Sequence, residues 1–477
     1  MEVLSAEQVT TIIESALDVL EQQGMCFLEA ESRKILNQAG ATPGDGDCII
    51  CFDRDMVREL AALAPTQFTL RARNPAHDLV VGGNNIIFAS ISGPAFCSDL
   101  ERGRRPGTYA ELCDYLKVVQ SLNILHQEGG GAFEPLDLPP ESRHLDLYLA
   151  QLTLLDKNTQ ANLLGRVRTV DGLEMTAIAL GTDRAGLAKS PAIMGIVNVN
   201  SPRQLDIPMS EAVLEMAAAG QVSCITPFTL AGSMSPVTLA GTLVQQTAEV
   251  LAVVVLAQVV KPGAPVMYGS FASNVDMQSG SPALGTPEYA RMTIASGQIA
   301  RALGLPFRSS NTTSSNCVDA QSAYESGMSL WACTMAHANL VNHAAGWLEG
   351  GLTASFEKLI IDAEMLQMMA ETLRPIEVNE GELALDAIAE VAPGGHHFAT
   401  NHTLERYQTA FYPSMVSSRQ NFERWVEAGS MDTAVRANKI YKTLLAEYKQ
   451  PPTDPGIEEA LIDYAERRKR DIAVATG

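Results

Sequence analysis

The chain lacks the glycine fingerprints of nucleotide-binding folds. No GxGxxG opens a helix after a strand and no GxxxxGK[ST] occurs, so dinucleotide and P-loop chemistry lose their main support. There is no HExxH, no GxSxG elbow and no run of carboxylates with metal-loop spacing. A Ser-His-Asp triad is a spatial arrangement, but nothing in the sequence singles out one serine. Basic residues are scarce: 34 Lys and Arg face 55 Asp and Glu, a net charge of -21. The resulting field repels phosphate backbones and anionic lipid, which argues against nucleic acid and membrane surfaces as partners. No basic segment followed by an apolar core stands at the N-terminus, and the longest apolar run, 250–260, is too short to span a bilayer; the expectation is a cytoplasmic protein without a signal peptide. The eight cysteines are scattered without a disulfide-framework spacing, so reduced thiols are expected. The one close pair, Cys48 and Cys51, has no further ligand at workable spacing, and no bound metal is expected.

What is present suits a large core. Hydrophobic residues make up 46% of 477 and charged residues 19%, enough for one big barrel with accessory regions. Ser5, with Gln8 three positions on, predicts a capped helix running to Gly24, and a second short helix at 30–39 stops at Gly40. Residues 49–81 mix short strands with a helix at 57–64, so residues 1–108 read as an accessory α+β region. From Tyr109 onward short apolar strands alternate with longer helices. Candidate strands lie at 123–128, 161–166, 192–198, 222–229, 265–270, 306–311 and 339–343, with an eighth expected near Ile388 or Phe398. Candidate helices lie between them at 210–219, 239–260, 286–302 and 320–338. Seven or eight such units predict an α/β fold, a TIM (β/α)8 barrel over 109–425, followed by a C-terminal helical extension over 426–477. The acidic-basic helix at 457–472 leaves room for a homo-oligomer.

In such a barrel the residues after each strand converge on one face. They include His126, Gln127 and Glu128; Asn198 and Asn200; Ser233 and Ser235; Tyr268; Arg308, Asn311 and Ser315; and His343, Trp347 and Glu349. Gly129, Gly130 and Gly131 read as a backbone turn at the barrel mouth. The polar run 305–321, LPFRSSNTTSSNCVDAQ, is the densest of these segments.

Six ordered segments carry a family resemblance: GPAFCSDLERGRRPGTYAELCDYLKV (93–118), GSMSPVTLAGTL (232–243), KPGAPVMYGSF (261–271), VDAQSAYES (318–326), NLVNHAAGWLEGGL (339–352) and PGGHHFATNHTLERYQTAFYPS (393–414). Together they resemble the trimethylamine methyltransferase family, over nearly the whole chain. The resemblance implies a TIM barrel that passes a methyl group from a methylated amine to the cobalt of a separate corrinoid protein. The family's archaeal trimethylamine enzyme carries pyrrolysine after the sixth of the strands counted above, in the segment matching 312–317. This chain has ordinary residues there, Ser315 and Asn316 being nearest, and so resembles the pyrrolysine-free branch that demethylates glycine betaine and other quaternary amines. A quaternary nitrogen already carries its charge, so displacement of its methyl needs chiefly alignment. The cobalt-ligating DxHxxG motif is absent, which implies a corrinoid (cobalamin) delivered by a partner.

A betaine pocket needs aromatic faces for the cation and donors for the carboxylate. Trp347 is the first candidate, as well suited to the cage as to core packing, with Phe96, Tyr268 and Phe356 supporting, for which core packing is the favoured role. His343 and Arg308 are candidate carboxylate donors and Asn311 a pocket-wall residue. Glu349 is the one candidate for a catalytic carboxylate, either balancing the ammonium or pairing with a neighbouring helix. His396, His397 and His402 lack carboxylate or cysteine partners nearby and read as a loop-anchoring or partner-facing element. Two other functions stay open: methyl transfer to another acceptor such as tetrahydrofolate, and non-catalytic binding of quaternary amines.

Overall fold

The computed structural model describes residues 1–476. Eight parallel strands close into a barrel in chain order: β1 (Ile87–Ser90), β2 (Gln127–Glu128), β3 (Asn158–Ala161), β4 (Met194–Val199), β5 (Val222–Pro227), β6 (Val266–Gly269), β7 (Phe307–Ser310) and β8 (Leu340–Ala345). The helices that follow them are α1 (Tyr109–Ser121), α2 (Arg143–Leu154), α3 (Gly165–Ala179), α4 (Ile207–Ala218), α5 (Leu239–Val260), α6 (Pro287–Ala302), α7 (Ala320–Met335) and α8 (Phe356–Thr372). The fold is the expected TIM barrel, but its remaining strand is Ile87–Ser90, not one near Ile388 or Phe398. Ile388 lies in the short helix Leu385–Glu390, and Phe398 is exposed. Consequently the barrel sheet begins inside the segment 1–108, and the strands counted sixth and seventh from sequence are β7 and β8. Residues 161–166 were also displaced: the strand ends at Ala161, and Gly165 opens α3.

Period-two alternation divides each barrel strand between two environments. Ile87, Ala89, Met194, Val222, Cys224, Met267 and Leu340 form one apolar cluster inside the barrel, together with Leu70 and Val81. Those last two come from the hairpin Gln67–Leu70 with Leu79–Gly82, which therefore closes the N-terminal end. Their strand neighbours Phe88, Val197, Ile225, Val266, Tyr268, Phe307 and Val341 belong to the larger cluster between sheet and helices. Inside the barrel, amides form a continuous chain. Gln127 Nε2 donates to Asn158 Oδ1 at 2.6 Å, and Gln160 Nε2 donates to Gln127 Oε1 at 2.9 Å and to Asn342 Oδ1 at 2.8 Å.

The N-terminal helix Ala6–Gln22 is capped by Ser5 and Gln8 and packs with Arg54–Ala61 against α5, so the 22-residue apolar α5 is buried within the protein. At the other end of the chain, Thr433–Glu447 packs on α8 and Pro455–Thr476 on α2 and α3. Asp171 anchors that last helix, accepting from Tyr464 Oη and Arg468 Nε at 2.8 Å each, with His144 Nε2 at 2.9 Å on its other oxygen. The expectation of reduced thiols is corrected at one place. Cys26 and Cys48 form a disulfide, because strand Met25–Phe27 pairs with Ile49–Cys51 and brings their Cα atoms to 4.9 Å. The other six cysteines are free.

Candidate active site

A cavity of about 630 Å³ opens at the C-terminal ends of the strands, where TIM barrels hold their sites. Its walls come from β4 and the following turn (Asn198, Asn200, Ser201), from β5 and the residue after it (Thr226, Phe228), from the loop after β6 (Phe271), from β7 (Arg308) and from β8 and the segment just past it (His343, Trp347). Three rings form a continuous apolar side: Phe228 and Phe271 stand 5.3 Å apart, and Phe271 and Trp347 5.8 Å apart. His343 closes the arc at 4.6 Å from Trp347.

Arg308 is the charge in this wall. It occupies an inward position of β7, is 1% exposed, and has no salt-bridge partner among the described residues. Its Nη1 donates to Ser270 O at 3.3 Å, while its Nε has no partner. Burial lowers its pKa, yet a guanidinium remains cationic at neutral pH. An unpaired buried charge is costly, so this one is poised for an anion at the cavity. Its guanidinium carbon lies 5.7 Å from the Phe271 ring centroid, so the anion site and the aromatic side are neighbours.

His343 reaches the cavity because β8 is irregular. Strict alternation from Asn342, which points inward, would turn the next side chain outward. The register against β1 shifts between Val341 and Ala345, and His343 adopts φ 51°, which re-aims its ring. Asn342 Nδ2 donates to His343 Nε2 at 3.3 Å, so the ring proton sits on Nδ1, 3.2 Å from Ser310 Oγ. Burial, reinforced by the Arg308 charge, pushes the imidazole well below its ordinary pKa, and the ring is neutral. Trp347 is held from behind, its Nε1 donating to Thr313 O at 3.0 Å. Gly351 lies against that ring with φ 94°, and a Cβ there would meet Trp347 Cη2 at 2.6 Å, so only glycine fits.

Trp347, His343 and Arg308 thus meet in one cavity, joined by the mouth residues Asn198 and Asn200, and the other substrate-site candidates do not reach it. Tyr268 points outward from β6, as alternation requires after the inward Met267; its Oη bonds Thr247 at 2.9 Å and Gln246 at 3.1 Å on α5. Phe356 is wedged between Tyr115 of α1 and Tyr441, with ring centroids 5.1 and 5.0 Å away. The face of Phe96 is already taken by the Arg104 guanidinium at 3.6 Å. Asn311 donates to Ala344 O at 3.1 Å across the β7–β8 seam. Glu349 is tied to Arg104 at 2.6 Å and to Thr353 Oγ1 at 2.5 Å; against burial, which raises it, these bonds hold its carboxyl below the usual range. Ser315 is buried with Oγ on Asp319 at 2.9 Å, and Asn316 is exposed; neither lines the cavity. The aromatic residues missed from sequence are Phe228 and Phe271. Phe271 closes the quoted segment KPGAPVMYGSF and lies two residues past the end of β6, so strand-end counting carried one step further would have found it. Among the described residues no group of three or more His, Cys, Asp or Glu is placed to hold a metal ion.

Residues 1–473 match the model of the trimethylamine methyltransferase (MTTB) family. The chain is 34% identical to a glycine betaine methyltransferase of Desulfitobacterium hafniense strain Y51, over 98% of both chains. It is 27% identical to the trimethylamine methyltransferase MttB of D. hafniense strain DSM 10664 / DCB-2, over 99% of this chain and 95% of that one. Among solved structures, the monomethylamine methyltransferase MtmB of Methanosarcina barkeri superposes with a TM-score of 0.55 at 9% identity, covering 94% of this chain and 89% of that one, which shows the shared barrel. With its barrel, its cavity and a match along almost its whole length, the chain belongs to the trimethylamine methyltransferase family, a family of methyltransferases.

Proposed function

We propose that the protein takes a methyl group from a carboxylated quaternary amine, glycine betaine first among them, and gives it to the Co(I) of a separate corrinoid protein, releasing dimethylglycine. The observation that carries this reading is the buried, unpaired Arg308 beside an aromatic wall. In glycine betaine one methylene separates the carboxylate from the ammonium. A carboxylate on Arg308 therefore lies between the guanidinium and the ammonium, which then faces Phe271, Phe228 and Trp347. Cation–π contact with such rings is worth about 2 kcal/mol when desolvated, Trp being best. Neither trimethylamine nor choline brings a carboxylate to offset Arg308, and an ammonium alone beside it would be repelled.

As the reaction proceeds the C–N bond breaks, its electron pair stays on nitrogen, and the amine leaves neutral. The rings and Arg308 hold the ground state and align one methyl toward the mouth, an entropic contribution rather than activation of a nucleophile. Neutral His343, with its proton on Nδ1, adds polarity without a second positive charge. The bound corrinoid, when its carrier docks, supplies the nucleophilic acceptor. The open C-terminal face of the barrel is the direction from which such a carrier approaches. The test mixes enzyme, glycine betaine and a reduced corrinoid carrier and follows the Co(I) absorbance. Decay that requires both enzyme and betaine is expected; a stable signal together with methyl appearing on tetrahydrofolate, or betaine binding with no transfer at all, would reject the acceptor.

A further inference from the structure

Glu249 is a buried carboxylate just behind the cavity wall. It stands midway along α5 and is 0% exposed. Its Oε2 accepts from Ser201 Oγ at 2.7 Å, and its Oε1 accepts from Arg203 N and Gln245 Nε2 at 2.8 Å each. All three donors are neutral groups, and the guanidinium of Arg203 donates instead to Gly24 O at 3.2 Å. Burial raises the Glu249 pKa, and the bonds from Arg203 N, Ser201 and Gln245 oppose that rise. The two N–H bonds fix Oε1 as an acceptor, and a protonated carboxyl could donate only by reversing the Ser201 bond. The arrangement therefore suits a carboxylate, and a buried charge bonded by neutral donors alone is incompletely balanced.

Two residues of the cavity wall are tied to this group. Ser201 lines the cavity and bonds Glu249 directly; Met234 also lines it, and its carbonyl accepts from the same Gln245 Nε2 at 2.8 Å. The single hydroxyl hydrogen of Ser201 goes to Glu249, so its oxygen is left with lone pairs, Thr229 Oγ1 being its more distant neighbour at 3.5 Å. Taken against chain order, β7, β6, β5 and β4 and the residues just past them contribute Arg308, Phe271, Phe228 and Ser201 to the wall. The wall thus begins at a cation, continues through two rings and ends at a hydroxyl oxygen backed by a carboxylate. A zwitterion with its carboxylate on Arg308 and its ammonium on the rings lies along that polarity in the favourable sense. Away from bulk water such an attraction acts across several ångströms.

We infer that Glu249 is a positioning residue that makes the cavity selective for a cationic head group, holding the Ser201 oxygen with its lone pairs toward the ammonium and supplying the negative end of the wall. The inference rests on the glycine betaine reading and assigns the counter-charge that Arg308 and the rings do not provide. Glu249 itself does not touch the substrate. Replacement by glutamine separates this role from that of a loop anchor. The glutamine oxygen still accepts from Arg203 N and Gln245, while its amide nitrogen donates to Ser201 Oγ. The loop stays tied, but the Ser201 hydrogen is released and the charge is gone.

Calorimetry on the full-length protein compares glycine betaine with tert-butylacetate, the isostere in which a quaternary carbon replaces the nitrogen. In Glu249→Gln the affinity for glycine betaine is expected to fall about tenfold, while tert-butylacetate binds as well as before or better. Ser201→Ala removes the oxygen and keeps the charge, and should weaken glycine betaine alone, by about threefold. Equal losses for the two ligands in Glu249→Gln, or no loss for glycine betaine, overturn the proposal and leave Glu249 as a loop anchor, with the betaine reading intact. A wild type that does not bind glycine betaine rejects that reading and the role of Glu249 together. Should Glu249→Gln fail to fold, Ser201→Ala decides by the same contrast: a loss confined to glycine betaine supports the proposal and an equal loss for both ligands overturns it.

Discussion

Three buried cations in this barrel are satisfied in three different ways. Lys358 on α8 bonds Asp362 and donates to Ser326 Oγ at 2.8 Å, so its charge is balanced within the protein. Lys157 at the start of β3 donates to Val119 O and Leu122 O at 2.9 Å each, with backbone carbonyls in place of a carboxylate on its Nζ; burial pushes it down to about 7, against the opposing pull of Asp156. Arg308 has one long bond to Ser270 O and faces the cavity. Similar burial with unequal satisfaction separates structure from site: a charge already paired holds the fold, whereas one left unpaired at a cavity is reserved for a ligand.

Each cation can be removed to break or sharpen that contrast. Lys358→Met strands Asp362, whose Oδ2 holds Gly346 N at 2.9 Å next to Trp347, and a loss of about 3 to 5 kcal/mol in denaturant stability is expected. Arg308→Met should do the reverse, weakening glycine betaine binding by about a hundredfold in calorimetry, near 3 kcal/mol, while choline binding and Tm hold or rise. A Tm loss as large as that of Lys358→Met would place Arg308 with the structural charges.

Lys157 sets a pH dependence. Its folded pKa of about 7 lies below the unfolded value of 10.5, so between these values the unfolded chain binds more protons and stability rises with pH. The slope approaches about 1.4 kcal/mol per pH unit, and Lys157→Met should flatten it in urea titrations from pH 7 to 10. The smallest effect is expected at Phe271→Leu, which keeps an apolar side chain but removes the ring. Betaine affinity should fall about fivefold, near 1 kcal/mol, with carboxylate discrimination against choline intact; equal loss for an uncharged isostere would remove Phe271 from the cation site.

Much of the architecture was legible because it rests on local patterns. Ser5 with Gln8 and the alternation of apolar strands with long helices describe elements that short-range chemistry dictates. The strand at Ile87–Ser90 was hidden because it precedes the expected repeats, flanked by the closing hairpin and followed by the small sheet of Phe96–Asp99 with Gly103–Pro106, so no strand–helix rhythm announces it. The disulfide was hidden for a similar reason. Cys26 and Cys48 are 22 residues apart, and only antiparallel pairing of two short strands joins them.

At the candidate site the division is sharper. Residue types near strand ends identified Arg308, His343 and Trp347, since side chains there converge whatever the loops do. Orientation could not be read the same way. Tyr268 and Met267 are adjacent, and which of them faces the interior follows from the register of the closed sheet. His343 faces the cavity only through the bulge in β8. The sequence by itself determined the strand–helix repeats of the barrel and the chemical types available at its mouth, because periodicity and capping are local, while its six ordered motifs carried the family. Tertiary structure alone decided which rings meet the cavity and which cation lacks a partner, because orientation and pairing depend on chain segments far apart in sequence.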